Sequence, residues 1–298
     1  MLVWLGVPGI GLSLGLLGGG GSILTVPLLV YGFGIETKAA MATSLLVVGA
    51  TSILTTIAYA RRGQVCRQVG LAFGLAAMIG AYAGGWGARY IPAKVLLLLF
   101  TAIMLATALA MLRSRPEEEG MAAPYVSPCQ KASTLPLGWI LVEGLLVGGV
   151  AGLVGAGGGF LVVPALHLLG RLPMHAAIGT SVLVIAMQSF AGFAAYVQHV
   201  EVSYSLAGML IVVASIGTLL GSLVANRVQS ARLKQGFGIF ILSIAGYSLY
   251  REFSLAWLMG SVHGHPALWL IGLALGAVAL IIGQVLKAAS RRSQARRA

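Results

Sequence analysis

Long apolar stretches recur along the chain, each bounded by charged or turn-forming residues. Ala39–Ala60, Gln68–Ala88, Val95–Leu112, Ala176–Val197, Val202–Asn226 and Pro266–Leu286 contain no Asp, Glu, Lys or Arg. Each is close to or above the roughly 18 to 20 residues that a helix needs to cross the hydrocarbon of a bilayer. Gln235–Tyr250 is shorter but lies between Lys234 and Arg251. The pattern predicts an all-α polytopic membrane protein.

The segments are not independent. Gly15-Leu-Leu-Gly18-Gly-Gly20-Gly21-Ser22-Ile-Leu-Thr-Val-Pro27 aligns with Gly152-Leu-Val-Gly155-Ala-Gly157-Gly158-Gly159-Phe-Leu-Val-Val-Pro164 at an offset of 137 positions. In the same register Ala42-Thr43-Ser44-Leu45 meets Gly179-Thr180-Ser181-Val182, Ser52 meets Ser189, Ala58-Tyr59 meets Ala195-Tyr196, and Phe100 meets Phe237. Two homologous halves follow, 1–113 and 137–251. Between them lies a polar linker, 114–136, that holds Glu117-Glu118-Glu119 and the prolines Pro116, Pro124, Pro128 and Pro136, and beyond them 252–298 forms an extra C-terminal helix and basic tail.

Composition agrees. Charged residues make up 9% of the 298 positions and hydrophobic ones 58%, against about 25% charged in a soluble domain, so this chain has no material for a water-facing surface. The net charge of +12 does not indicate nucleic acid. The charges lie in short loops and in a tail, Lys287, Arg291, Arg292, Arg296 and Arg297, that follows directly on an apolar helix. Such a run marks a cytoplasmic end held near lipid headgroups. The N-terminus lacks a basic n-region and reads as no cleaved signal peptide. Cys66 and Cys129 have neither metal-site nor redox spacing, and a disulfide between them stays open.

The basic loops also bear on orientation. The first half carries Arg61-Arg62 and Arg67 between its second and third segments, whereas the matching loop Gln198–Val202 has no Lys or Arg, and the next loop has Arg227, Arg232 and Lys234. The bias has changed sides between the copies, which predicts inverted repeats. Inversion needs an odd number of crossings in each half. Each repeat is therefore a Gly-broken, re-entrant helix plus three transmembrane helices, with the N-terminus outside and the C-terminus cytoplasmic.

The glycine runs are the first candidates for chemistry. Glycine costs a helix roughly 1 kcal/mol relative to alanine, so five such small residues favour a break. Bare backbone at membrane depth must be buried in protein or line a wet cavity. Helices restarting after the breaks would aim free N–H groups and positive dipole ends into the middle of the membrane, which suits an anion. The candidate set is Gly19, Gly20, Gly21 and Ser22 with Ala156, Gly157, Gly158 and Gly159. Thr43, Ser44, Thr180, Ser181 and Gln188 join them as donors to anion oxygens. Glu143 and His167 are ionisable groups in apolar surroundings and candidates for proton coupling. Gly80–Gly84 and Gly217–Gly221 read as helix-packing pairs that permit a homodimer without demanding one. Tyr59 and Tyr196, near helix ends, read as interface anchors. No cofactor or metal site is expected, and no Gly-Lys-Ser/Thr follows the glycines.

Two copies of a Gly-rich segment ending in Val-Pro, each followed by an Ala/Gly-Thr-Ser helix, resemble the sulfite exporter TauE/SafE family of bacterial membrane proteins. The marks are Gly18–Pro27 with Ala42-Thr43-Ser44 and Gly155–Pro164 with Gly179-Thr180-Ser181. The resemblance covers about residues 10–251. It implies transport of a small sulfur-containing anion, sulfite or an organosulfonate such as sulfoacetate, across the bacterial inner membrane. Alternating access around a midplane site is the expected mechanism, with export as the direction and protons as the coupling ion. Three other readings compete with it. They are a passive anion channel of the same fold, a metal-cation transporter drawing on His167, His175 and His199, and an intramembrane hydrolase using Ser22 or Ser44.

Overall fold

The structure is a computed structural model that describes residues 20–113, 137–169, 172–225, 235–236 and 238–246. These residues form helices joined by short connections, with no strand among them. Helix α1 (Gly20–Pro27) continues as a π turn (Leu28–Gly32), followed by α2 (Thr37–Arg61), α3 (Arg67–Gly87, ending in a 3-10 turn Ala88–Tyr90) and α4 (Ala93–Arg113). After the linker come α5 (Leu137–Val154), α6 (Gly159–Pro164, continuing as a π turn Ala165–Leu169), α7 (Met174–Tyr196) and α8 (Tyr204–Ala225). Thr37–Arg61, Arg67–Tyr90, Met174–Tyr196 and Tyr204–Gly221 are long and apolar enough to cross a membrane. The predicted windows agree with α2, α3, α4, α7 and α8 to within a few residues. Gly19, the linker and the C-terminal helix from 252 lie outside the described residues.

The offset seen in the sequence reappears in the backbone. The π turns begin at Leu28 and Ala165, the long helices at Thr37 and Met174, and the next helices at Arg67 and Tyr204. Single bonds repeat too: Ile35 N–H donates to Leu29 O at 3.1 Å and Leu172 N–H to Leu166 O at 3.1 Å. The cause of the π turns is proline. Pro27 and Pro164 each end an α segment. A proline has no N–H for the carbonyl four residues back and its ring crowds that carbonyl, so the helix widens past it.

Packing fixes the directions. A methyl added at Gly144, Gly148 or Gly152 of α5 would meet the backbone of Phe73, Ala77 or Ala81 of α3, so α3 and α5 run parallel. Gly70 lies against Thr180 and Leu183, Gly74 against Met187, and Gly85 against Ala195 and Tyr196, so α7 is also parallel to α3. Two consecutive long helices can run the same way only if the chain returns between them. The glycines after Val154 make the turn, and α6 with its π turn makes the return. α2 runs the other way: Leu45 packs on Gly192, and Gly49 on Ser189 and Phe190. The Arg61–Arg67 loop, where Gln64 touches Gly179, and the 197–203 connection, where Gln198 bonds Tyr82, therefore sit at opposite ends of the bundle. The halves interlock, because α3 packs on α7 and α8 on α2.

Tyr59 and Tyr196 are not at the interface. They are 1% and 0% exposed and belong to one apolar core with Met41, Leu45, Phe100, Val154 and Val182. Helix–helix contact has covered ring positions whose place near helix ends suggested headgroups. Gly80 and Gly84 do pack as expected, with carbonyl oxygens of Leu145 and Gly149 each 2.1 Å from where a Cβ would stand.

Candidate functional site

The turn Gly155-Ala-Gly-Gly158 lies between α2 and α7. Gly155, Gly157 and Gly158 all have φ near +67° (69°, 66° and 68°). That region costs an L side chain roughly 1–2 kcal/mol. Space closes the same positions: a Cβ on Gly157 would stand 2.8 Å from Val48 Cγ1 and 3.0 Å from Ser189 Oγ, and one on Gly158 2.6 Å from Gln188 Nε2. Gln188 Nε2 donates to Gly157 O at 2.7 Å and so ties the turn to the middle of α7. Gly158 O accepts from the N–H groups of Leu161 and Val162, which start α6. The N–H groups of Gly159 and Phe160 precede that first helical bond. α1 and α6, the two short helices, pack against each other.

The polar side chains around this turn differ from those elsewhere in the bundle. Hydroxyls in the long helices generally bond back to their own helix. Thr51 does so to Val47 O, Thr55 to Thr51 O, Thr107 to Ile103 O and Thr218 to Ala214 O. Four buried polar atoms on α2 and α7, the helices that flank the turn, have no hydrogen-bond partner: Ser44 Oγ, Ser52 Oγ, Ser189 Oγ and Gln188 Oε1. Ser44, Val48 and Ser52 form a stripe on α2 at intervals of four residues, about 6 Å per step. Val48 touches Gly157, so Ser44 and Ser52 stand one turn to either side of it. Each unpartnered buried group costs about 1–3 kcal/mol.

The predicted candidates separate on this geometry. Gln188, Gly157 and Gly158 come together at the turn, with Ala156 and Gly159 in the same segment and both buried, and Ser44 lies one helical turn from Val48, which touches Gly157. Thr43 Oγ1 donates to Ala39 O and Ser181 Oγ to Ile178 O, each within its own helix. Thr180 Oγ1 accepts the Cys66 N–H at 3.0 Å, near the Arg67 end. Cys66 is disulfide-bonded; Cys129, the other cysteine of the chain, lies outside the described residues. Gly20, Gly21 and Ser22 form the first turn of α1. His167 sits on the second π turn with Nδ1 2.9 Å from Leu172 O, and Glu143 is half-buried on α5. His175 starts α7, whereas His199 stands beyond its other end, so these histidines are not brought together.

Ser52 and Ser189 are lesser donor candidates from their shared register in the sequence; the neighbouring turn is what singles them out. A second polar group is joined only by the fold; of its members His199 alone is a candidate from sequence, and as a metal ligand. Lys38 at the start of α2, Arg89 after α3 and His199 after α7 converge at the end of the bundle opposite Arg67. Lys38 Nζ donates to Arg89 O at 3.0 Å. Arg89 stacks over Trp86 and Tyr90, 4.0 and 4.4 Å from the ring centroids, and donates to Tyr90 OH. Burial, then Lys38 and then Arg89 hold the His199 imidazole below its usual pKa, with the Ala195 backbone acting the other way more weakly than burial or Lys38. The His199 ring lies 5.4 Å from that of Tyr196, whose OH donates to Leu153 O at 2.8 Å.

Comparison with known proteins decides the family. The family model described as sulfite exporter TauE/SafE matches residues 3–249. The chain belongs to the TauE/SafE family. A "Probable membrane transporter protein" of Xylella fastidiosa (strain 9a5c) is 34% identical over 258 residues, covering 85% of this chain and 97% of that protein. "Probable membrane transporter protein YunE" of Bacillus subtilis is 26% identical over 256 residues, covering 79% and 92%. A relative from Methanocaldococcus jannaschii is 27% identical over 202 residues, covering 63% and 70%. No solved structure matches the chain. As a TauE/SafE protein it is a transmembrane transporter, in agreement with the resemblance of the two Gly-rich motifs.

Proposed function

We propose that this transporter is an alternating-access carrier of a small, oxygen-rich sulfur anion, sulfite or an organosulfonate, and that the anion binds at the Gly155–Gly158 turn. The observation that carries the reading is the set of three buried, unpartnered hydroxyls, Ser44, Ser52 and Ser189, on the two helices that flank Gly157. An oxyanion presents several acceptor oxygens, and three hydroxyls with the N–H groups at the start of α6 can donate to them without any fixed positive charge. A site of this kind binds without holding the anion so tightly that it cannot leave.

The two halves are read as inverted repeats, with α1 and α6 as the returning limbs of two re-entrant hairpins. Support comes from the antiparallel course of the equivalent helices α2 and α7 and from the shared offset of the π turns. Motion of one repeat against the other would then open the turn to each side in sequence. The Arg61–Arg67 end faces the cytoplasm of a bacterial inner membrane on the positive-inside rule, with export as the direction. Thr43 and Thr180 remain second-rank donors, and Glu143 and His167 the proposed coupling groups.

The test is flux of labelled sulfite and sulfoacetate in proteoliposomes. The double variant Gln188→Ala/Ser189→Ala is expected to lose transport while still folding. Undiminished flux in that variant would remove the site from the turn. Labelling of Gln64→Cys and Gln198→Cys from opposite faces of the membrane is expected; labelling from one face would end the inverted reading.

A further inference from the structure

The convergence of Lys38, Arg89 and His199 has no role in the site at the glycine turn. These groups come from three separate elements and are held together without a carboxylate among their hydrogen-bond and ring partners. Lys38 rests on a backbone carbonyl and Arg89 on two aromatic faces and a phenol. His199 Nε2 is buried and makes no hydrogen bond. Three cationic or protonatable groups set side by side repel one another, and a buried ring nitrogen without a partner adds to that cost. An anion relieves both.

The position of the cluster gives it a purpose. His199 lies against the ring of Tyr196. Tyr196 OH donates to Leu153 O and lies 3.6 Å from Met41 Sδ, and Met41 is the residue that packs on Gly155. One buried aromatic ring thus separates the basic cluster from the glycine turn. The opposite end has the same device in the same register: Arg62 stands over the ring of buried Tyr59, 6.0 Å from its centroid, and Tyr59 and Arg62 match Tyr196 and His199 at the offset of 137. The bond between the paired residues repeats as well, Arg62 N–H to Tyr59 O at 3.1 Å and His199 N–H to Tyr196 O at 3.0 Å.

We propose that Lys38, Arg89 and His199 Nε2 form a second anion site, a way-station for a small oxyanion between the Tyr196 ring and the bundle surface opposite Arg67. Its role in transport rests on the reading of the glycine turn given above; its capacity to bind does not. The groups that bear on His199 are Lys38 on α2, Arg89 at the end of α3, and the Ala195 backbone and Tyr196 ring on α7, with exposed Glu36 and Glu201 in the adjoining connections. An anion beside the imidazole favours its charged form, so anion and proton bind together.

The test uses Trp86, which lies under Arg89, as the reporter. Purified full-length protein is titrated with sodium sulfate, whose charge is fixed over the range used, against sodium chloride at equal ionic strength to remove screening. A saturable change in fluorescence is expected, lost in Trp86→Phe. It should tighten as pH falls from about 8 to about 6. Lys38→Gln and Arg89→Gln should each weaken it about tenfold or more, as loss of a charge-assisted bond does, while Arg89→Lys keeps most of it. His199→Gln should weaken it and abolish the pH dependence. Titrations of the Gln variants that match wild type, or a change no different from that with chloride, would overturn the proposal. The double variant Gln188→Ala/Ser189→Ala separates the two sites. An intact Trp86 titration with full flux in that variant removes the site at the turn and leaves this one. Lost flux with insensitive Lys38, Arg89 and His199 variants does the reverse.

Discussion

The contact of α3 with α5 and the contact of α2 and α7 with the glycine turn are both built on glycine, and they differ in every other respect. Along α3 and α5 the glycines are helical and bring two backbones together, with Gly80, Gly84, Gly148 and Gly152 each facing main-chain atoms closer than 3 Å to any added Cβ. No polar side chain in that contact lacks a partner apart from Glu143, which lies beside it. At the turn the glycines have positive φ, and their neighbours are hydroxyls, an amide and Val48. The first contact gains from dispersion and close approach, as helix pairs in membranes do. The second carries unpartnered polar groups, a cost that a fold keeps where a ligand can meet it. The same residue type therefore marks a rigid seam in one place and a candidate binding surface in the other.

That contrast can be broken by substitution. The largest effect is expected at the seam. Gly84→Leu must displace the Gly149 carbonyl and Leu153 N–H, 2.1 and 2.8 Å from the new Cβ. A cost of about 3 kcal/mol or more follows from overpacking backbone, and size-exclusion chromatography should find little monodisperse protein. Gly157→Ala comes next. Strain at positive φ costs about 1–2 kcal/mol, and the methyl presses on Val48 and Ser189. The protein should fold with a lowered Tm and transport at least about tenfold more slowly, a pairing that no seam variant would give.

Smaller again is the effect of Ser52→Ala or Ser189→Ala on stability. Removing a buried hydroxyl without a partner leaves Tm unchanged or raises it, within about 1 kcal/mol, while flux falls. The smallest change is expected for Thr43→Val, whose hydroxyl already serves Ala39 O. Flux and Tm should both stay near wild type, within about 0.5 kcal/mol. A large loss of flux in Thr43→Val with normal Ser52→Ala would shift the site along α2, away from the turn.

The repeat, the long helices and the position of the break are legible from residues alone. Glycine runs, Val-Pro and Thr-Ser pairs stand in one register, and each acts on the backbone where it stands, so local chemistry is enough. The division among hydroxyls is not legible. Thr43 and Ser44 are adjacent and equally polar, yet Thr43 bonds a carbonyl of its own helix and Ser44 is buried without a partner. The interlocking of α3 on α7 and the burial of Tyr59 and Tyr196 depend on contacts between halves, which no single segment records. Lys38, Arg89 and His199 lie 51 and 110 positions apart, at the ends of three separate helices, and only the folded bundle joins them.

The central claim is that the anion binds at the glycine turn, and a thermal-shift titration with sulfite tests it most directly. Wild type and Gln188→Ala/Ser189→Ala would be compared in detergent, at constant ionic strength, up to a sulfite concentration far above half-saturation. A ligand at about one hundred times its Kd stabilises by roughly 2.7 kcal/mol, a shift of several degrees. That shift is expected in wild type, and its loss in the double variant. An equal shift in both proteins would contradict it.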